Sequence, residues 1–139
     1  MASQLTLCII KPDAVQERHQ GAILNRILDE GFEVLGMRQL RLSRTQAEGF
    51  YAVHEGKPFF ASLCEFMTSG PIIVAALRRD DAVKHWRTVI GATNPAEAAE
   101  GTIRKLFGGS LGENAVHGSD SEVNGRAECA YFFPGYDLL

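Results

Sequence analysis

The chain has 139 residues, enough for one domain with a hydrophobic core, and residues 1–139 are read as a single domain. Hydrophobic residues make up 45% and charged residues 22%, the balance of a soluble globular protein. The formal charge of -3 excludes a global pull toward nucleic acid or an anionic membrane, so a site for a phosphorylated ligand must gather its cations locally.

The three cysteines, Cys8, Cys64 and Cys129, lack metal-site spacing and read as reduced core thiols of a cytoplasmic protein. No stretch reads as a signal peptide, and no apolar run is long enough to span a bilayer. Residues 5–10, rich in β-branched side chains, predict a buried strand. Lys11 follows where strand gives way to helix, with Pro12 suited to a first helical position. Strand ends of this kind often hold ligands, although a solvated lysine fits the same pattern. Residues 22–30 have helical apolar spacing, stopped by Gly31, and residues 32–42 alternate as a second strand. Ser43 caps a helix predicted to run to His54, with Tyr51 on it as an amphipathic core edge. Lys57-Pro58 opens another helix over 59–68, where adjacent Phe59 and Phe60 must point different ways.

Residues 71–77 read as a central strand, followed by a helix from Asp80 or Asp81 that Gly91 ends. The polar stretch 92–101, with Asn94-Pro95 turn chemistry, predicts an exposed excursion before a short element at 102–107 bearing Arg104 and Lys105. A glycine-rich loop at 108–112 and a very short strand at 115–117 lead to His117. Ser119 and Glu122 have capping-box spacing, which predicts a last helix from about Asp120 to Phe132. A histidine at such a helix start, where free N–H groups favour anions, is placed to act on phosphorus; an exposed histidine after a loop is the plainer alternative. The order of elements is an α+β, β-α-β-β-α-β-like pattern with additions, consistent with an antiparallel sheet covered by helices on one face.

The stretch Asn114-Ala-Val-His117-Gly-Ser-Asp120-Ser resembles the active-site signature of nucleoside diphosphate kinases. Ile10-Lys11-Pro12-Asp13-Ala14-Val15, Phe50-Tyr51, Lys57-Pro58-Phe59-Phe60, Met67-Thr68-Ser69-Gly70-Pro71, Gly91-Ala92-Thr93-Asn94-Pro95 and Gly101-Thr102-Ile103-Arg104 resemble that family in the same order. The similarity runs from Leu5 to Phe133. It implies the ferredoxin-like fold and transfer of a γ-phosphoryl group from a nucleoside triphosphate, typically ATP, to a nucleoside diphosphate. The transfer would be ping-pong, through phosphohistidine at His117. The resemblance also implies Tyr51, Glu128 and Ser119 as supports of His117, and Phe59 as a platform for the nucleobase. Aromatic stacking tolerates any base, since every base has a π-face. Lys11, Arg87, Thr93, Arg104, Leu111 and Asn114 complete the implied nucleotide site, the arginines with forked donors suited to phosphate. Mg²⁺ would be bound through the nucleotide phosphates, with no protein metal site. The implied partners are nucleoside di- and triphosphates and other copies of the chain, a tetramer with hexamer or dimer as alternatives; no membrane or stable nucleic-acid partner is expected.

The chain lacks a Gly-x4-Gly-Lys-Ser/Thr loop and the Gly-rich and His-Arg-Asp set of protein kinases. A Ser119–His117–Asp120 hydrolase triad is ruled out by crowding, because three residues so close in sequence do not line up as a relay. An RNA-binding module would carry paired aromatics on its central strands and a basic balance, whereas these strands carry Ile, Val and Leu. A non-enzymatic scaffold would show degraded chemistry, yet His117, Lys11 and Arg104 are all present. The chain departs from the family pattern at Asn124-Gly125, a poor helix interior, and at Arg78-Arg79, expected to alter surface or subunit contacts.

Overall fold

The computed structural model describes residues 3–139. Four strands, β1 (Ser3–Ile10), β2 (Glu33–Leu40), β3 (Ile72–Asp80) and β4 (Val116–His117), form one antiparallel sheet in the order β2-β3-β1-β4. Among the described residues seven α-helices accompany it: α1 (Pro12–Gln16), α2 (Gln20–Asp29), α3 (Arg44–Phe50), α4 (Phe60–Met67), α5 (Ala82–Ile90), α6 (Ile103–Phe107) and α7 (Glu122–Phe132). The arrangement is the expected ferredoxin-like α+β fold, with α3 and α4 inserted between β2 and β3 and α7 added after β4.

Helices cover both faces of the sheet, not one. Cys8, Ile10, Ile73, Ala75 and Leu77 pack with Ile23 and Ile27 of α2 and Trp86 of α5. Leu7, Ile9, Ile72, Val74 and Ala76 pack on the opposite face with Ala47 of α3, Cys64 and Met67 of α4, and Cys129 and Phe132 of α7. The physical reason lies in the central strands, whose apolar residues run continuously instead of alternating, so both faces need cover. All three cysteines are buried and unpaired. No helix among the described residues is long and apolar enough to cross a membrane.

Several boundaries differ from expectation. The helix opened by Ser43 carries a full capping box with Gln46, but ends at Phe50; residues Ala52–His54 form a separate 3-10 turn and Tyr51 sits at the junction. Strand β3 continues to Asp80 because β1 pairs with it to the end, Ser3 opposite Asp80. The Arg78 guanidinium also forks onto Glu33 of β2 at 3.0 and 3.1 Å. The capping box predicted at Ser119 does not form. Ser121 is the cap, its Oγ accepting from the Asn124 N–H at 3.1 Å, and α7 starts at Glu122. Gly125 belongs in this helix for a packing reason: a Cβ there would collide with the Leu5 carbonyl, so glycine lets α7 lie directly on β1.

Candidate active site

The site grows from the meeting of β1 and β4. His117 pairs with Ile9 and Val116 with Ile10, so the histidine emerges beside the end of β1. The turn leading into β4 is strained. Ala115 has φ 74, and the Val116 N–H donates to the Asn114 carbonyl at 2.9 Å, which defines a tight γ-turn of the rare positive-φ kind. Two long-range bonds hold it: the Ala115 N–H donates to Asp13 Oδ2 at 3.0 Å, and the Lys11 N–H donates to the Ala115 carbonyl at 2.8 Å. The Trp86 indole N–H donates to the His117 carbonyl at 3.2 Å. The backbone on both sides of His117 is thereby fixed to β1, α1 and α5.

The imidazole is equally constrained. Its Nε2 lies 2.7 Å from Glu128 Oε1, and the Ser119 hydroxyl donates to the same oxygen at 2.7 Å. Ser119 is fully buried; its Oγ accepts the Leu7 N–H at 3.0 Å, and its own N–H donates to Thr6 Oγ1 at 3.3 Å. This tie to β1 is why Ser119 does not cap α7. A carboxylate at Nε2 selects the tautomer protonated there and leaves the Nδ1 lone pair free. The ring set edge-on to His117 is Phe50, with centroids 5.7 Å apart. Tyr51 stands one ring behind, perpendicular to Phe50 at 4.9 Å. Burial pushes its phenol well above the ordinary range, and the nearby Glu128 carboxylate pushes it further, so it stays a neutral hydroxyl.

Three cations surround this arrangement. The Lys11 ammonium donates to Asn114 Oδ1 at 2.8 Å, and Asn114 Nδ2 donates to the Thr93 carbonyl at 2.9 Å. Burial pulls Lys11 down to about 8, helped by Arg104 and opposed by Asp13. Arg104 is buried, donating from Nη1 to the Gly91 carbonyl at 3.0 Å and from Nη2 to the Val116 carbonyl at 2.9 Å. Burial, then the charge of Arg87, lowers it to about 10, which leaves it a cation at neutral pH. Arg87, Thr93, Thr102 and Arg104 line one open cavity of about 450 Å³. Both guanidiniums thus face a space of ligand size. No group of three His, Cys, Asp or Glu residues able to hold a metal ion occurs among the described residues.

The two apolar candidates, Phe59 and Leu111, do not line that cavity. Phe59 is 46% exposed, flanked by the His54 ring at 5.2 Å and the Lys57 ammonium at 5.9 Å. Phe60 instead packs against the core, so the adjacent rings divide as their spacing requires. Leu111 projects from the loop before β4 and is 60% exposed. Asp13, Phe50 and Trp86 are site residues that no sequence pattern singles out. Asp13 lies within the stretch 10–15, but its contact to Ala115 spans 102 residues and has no local signal.

A histidine with one nitrogen free stands beside Lys11, Arg87 and Arg104, none of which forms a salt bridge among the described residues, an arrangement suited to an anionic, phosphorylated ligand. The nucleoside diphosphate kinase family model matches residues 4–138. The chain is 60% identical over 134 residues to the nucleoside diphosphate kinase of Syntrophotalea carbinolica, spanning 96% of this chain and 98% of that one. It is 55% identical over 138 residues to that of Sorangium cellulosum, spanning 99% and 96%. The crystal structure of the Aquifex aeolicus nucleoside diphosphate kinase superposes with a TM-score of 0.96 at 40% identity, covering 99% of this chain and 100% of that one. The halophilic enzyme from Halobacterium salinarum, solved in complex with CDP, superposes with a TM-score of 0.93 at 38% identity, covering 98% and 91%. The chain therefore belongs to the nucleoside diphosphate kinase family, a family of phosphotransferases.

Proposed function

We propose that the chain works as one catalytic domain, moving the terminal phosphoryl group between nucleotides in two half-reactions through His117. The carrying observation is the imidazole held at Nε2 by Glu128, which leaves Nδ1 as the nucleophile. The Nδ1 lone pair attacks the γ-phosphorus of a nucleoside triphosphate. A P–N bond forms as the P–O bond to the β,γ-bridging oxygen breaks, and its electron pair leaves with the diphosphate. A terminal oxygen of a second nucleoside diphosphate then attacks the same phosphorus, and the P–N pair returns to His117.

In this reading Arg87 and Arg104 hold phosphate oxygens and Thr93 donates a hydroxyl hydrogen bond to the phosphate chain. Lys11 and Asn114 bind near the ribose, and Phe59 and Leu111 bracket the base. Tyr51 keeps a dry wall behind Glu128 and His117, while Ser119 orients the Glu128 carboxylate. The residues present suit a polyphosphate better than a bare divalent ion, because the cavity sets two guanidiniums, Arg87 and Arg104, against the single carboxylate of Glu97. Mg²⁺ carried by the nucleotide phosphates would supply charge neutralisation there, with Arg87 and Arg104 as the protein's own share of it. The CDP complex of the Halobacterium salinarum enzyme supports a nucleoside diphosphate as the acceptor class. The reading goes with a cytoplasmic location, in keeping with three buried, unpaired cysteines.

We also read the chain as a homo-oligomer. Strand β2 forms one edge of the sheet and exposes Met37 at 48%, an edge that a second copy can pair with. Sedimentation separates the tetramer from hexamer and dimer. The decisive experiment is intact-protein mass after mixing with Mg-ATP, alongside His117→Ala. One acid-labile phosphoryl group on the wild type only, discharged by GDP with formation of GTP, is the expected result. Nucleotide binding without phosphoprotein or GTP would overturn it.

A further inference from the structure

The loop 92–101 forms one wall of the cavity that Arg87 and Arg104 face, and it carries Thr93. It leaves and rejoins the core at glycines in left-handed conformations, Gly91 at φ 89 and Gly101 at φ 84. Besides Thr102, whose Oγ1 donates to the Ala99 carbonyl at 2.7 Å, three side chains from outside the loop grip carbonyls along this stretch. Arg104 holds Gly91 and Asn114 holds Thr93, both already placed in the site. The third is Arg26 of α2, whose Nη1 donates to the Gly101 carbonyl at 2.7 Å across 75 residues of sequence.

Arg26 is itself aimed. Its Nε donates to Glu30 Oε2 at 2.8 Å, one turn further along α2. The other oxygen of Glu30 lies 2.8 Å from His85 Nε2 on α5. Both oxygens of one carboxylate are occupied, so the guanidinium presents its remaining face to the loop. A partly exposed i,i+4 ion pair such as this one is alone a minor feature of a helix surface. The additional charged bond to a carbonyl at the loop's far hinge gives this pair a second task.

We propose that Arg26 is a positioning residue for the nucleotide site: it fixes the far end of the loop 92–101 and so sets how tightly the polyphosphate pocket closes on its ligand. The inference rests on the nucleotide-binding reading of that pocket. Near Thr93 the loop stays held by Asn114 when Arg26 is removed, and Thr102 keeps its local bond to Ala99, so the chemistry at His117 is preserved while the Gly101 hinge loses its tie to α2 and the wall at 94–101 loosens. Arg26 therefore governs affinity more than turnover.

The test compares wild type, Arg26→Ala, Arg26→Lys and Glu30→Gln by hydrogen exchange of the unliganded protein and by steady-state kinetics with ADP and GDP as acceptors. Arg26→Ala is expected to speed exchange selectively at 94–101 and to raise KM for the acceptor by about threefold to tenfold, with kcat within about twofold. Arg26→Lys retains a charged donor and recovers most of both effects. Glu30→Gln, which leaves Arg26 in place but less firmly aimed, gives a smaller change in the same segment. Unchanged exchange at 94–101, or faster exchange spread over the whole sheet with kcat and KM moving together, overturns the proposal. If the wild type forms no phosphoprotein, the catalytic reading fails, and the exchange comparison still decides whether Arg26 holds the loop.

Discussion

Removing Glu128 tests how the nucleophile is prepared. Its Oε1 accepts from both the imidazole and the Ser119 hydroxyl at 2.7 Å, so Glu128→Ala deletes two charge-assisted bonds at once. A hydrogen bond to a charged group contributes roughly 1.5–3 kcal/mol. Two consequences follow for His117: the tautomer with a free Nδ1 is no longer selected, and the positive charge gained on phosphorylation loses its counter-charge. If most of one such bond is expressed in the transition state, phosphorylation slows by about 10- to 100-fold. The assay is stopped-flow mixing with Mg-ATP. The single tryptophan is a convenient reporter, since the Trp86 indole is bonded to the His117 carbonyl. Ser119→Ala leaves Glu128 on the imidazole and is expected to slow the step by less, about fivefold. The double variant should match Glu128→Ala, because Ser119 acts on His117 through that carboxylate. A Glu128→Ala protein phosphorylated at the wild-type rate would refute the assignment of Nδ1 preparation to this bond.

Asp13→Ala removes the acceptor that holds the Ala115 N–H in its strained turn. An unsatisfied buried N–H costs roughly 1–3 kcal/mol, so a lower Tm and a slower phosphorylation step are expected together, with Asp13→Asn intermediate; an unchanged rate would show that the γ-turn holds itself. Gly125→Ala forces α7 away from the Leu5 carbonyl and is expected to destabilise by about 1–3 kcal/mol in urea titration, despite alanine's better helix propensity. A stabilised variant would mean that α7 shifts freely and that its contact with β1 is loose.

The parts of this site that were legible in the sequence are those where a local pattern and a chemical role coincide. Lys11 at the end of an apolar run, Arg104 after a helix-opening Thr102, and His117 after a glycine-rich loop carry both signals. The continuous apolar runs of β1 and β3 also contained the information that both faces are covered, although element order alone suggested one. Ser119 shows why local reading fails. The capping-box spacing pointed to Ser119, but its hydroxyl is taken by the Leu7 N–H on a strand 112 residues away, and Ser121 caps the helix instead. Asp13, Trp86 and Arg26 share that character. Each acts by a bond to main chain far off in sequence, and no periodicity encodes such a partner.

Lys11 links stability, pH and ligand in one measurable way. Its ordinary value of 10.5 falls to about 8 because the folded chain half-buries an ammonium whose near neighbours include Arg104. Between about pH 8 and 10.5 the unfolded chain therefore holds more protons on this lysine than the folded chain does. Stability must rise with pH across that window as far as this group is concerned, by about 3 kcal/mol at most, and the contribution is an unfavourable one below pH 8. Nucleotide binding runs the other way. A polyphosphate favours the charged lysine, so affinity should weaken above about pH 8, and binding near pH 8.5 should draw a fraction of a proton from solution. Calorimetry in two buffers of different ionisation enthalpy reads that proton directly, and Lys11→Arg should abolish it while retaining a positive charge. Proton release, or uptake that survives in Lys11→Arg, would place the titrating group elsewhere. The expected outcome explains why a site this rich in cations tolerates the unfavourable charge burial: the unfavourable terms are present only until the phosphates arrive.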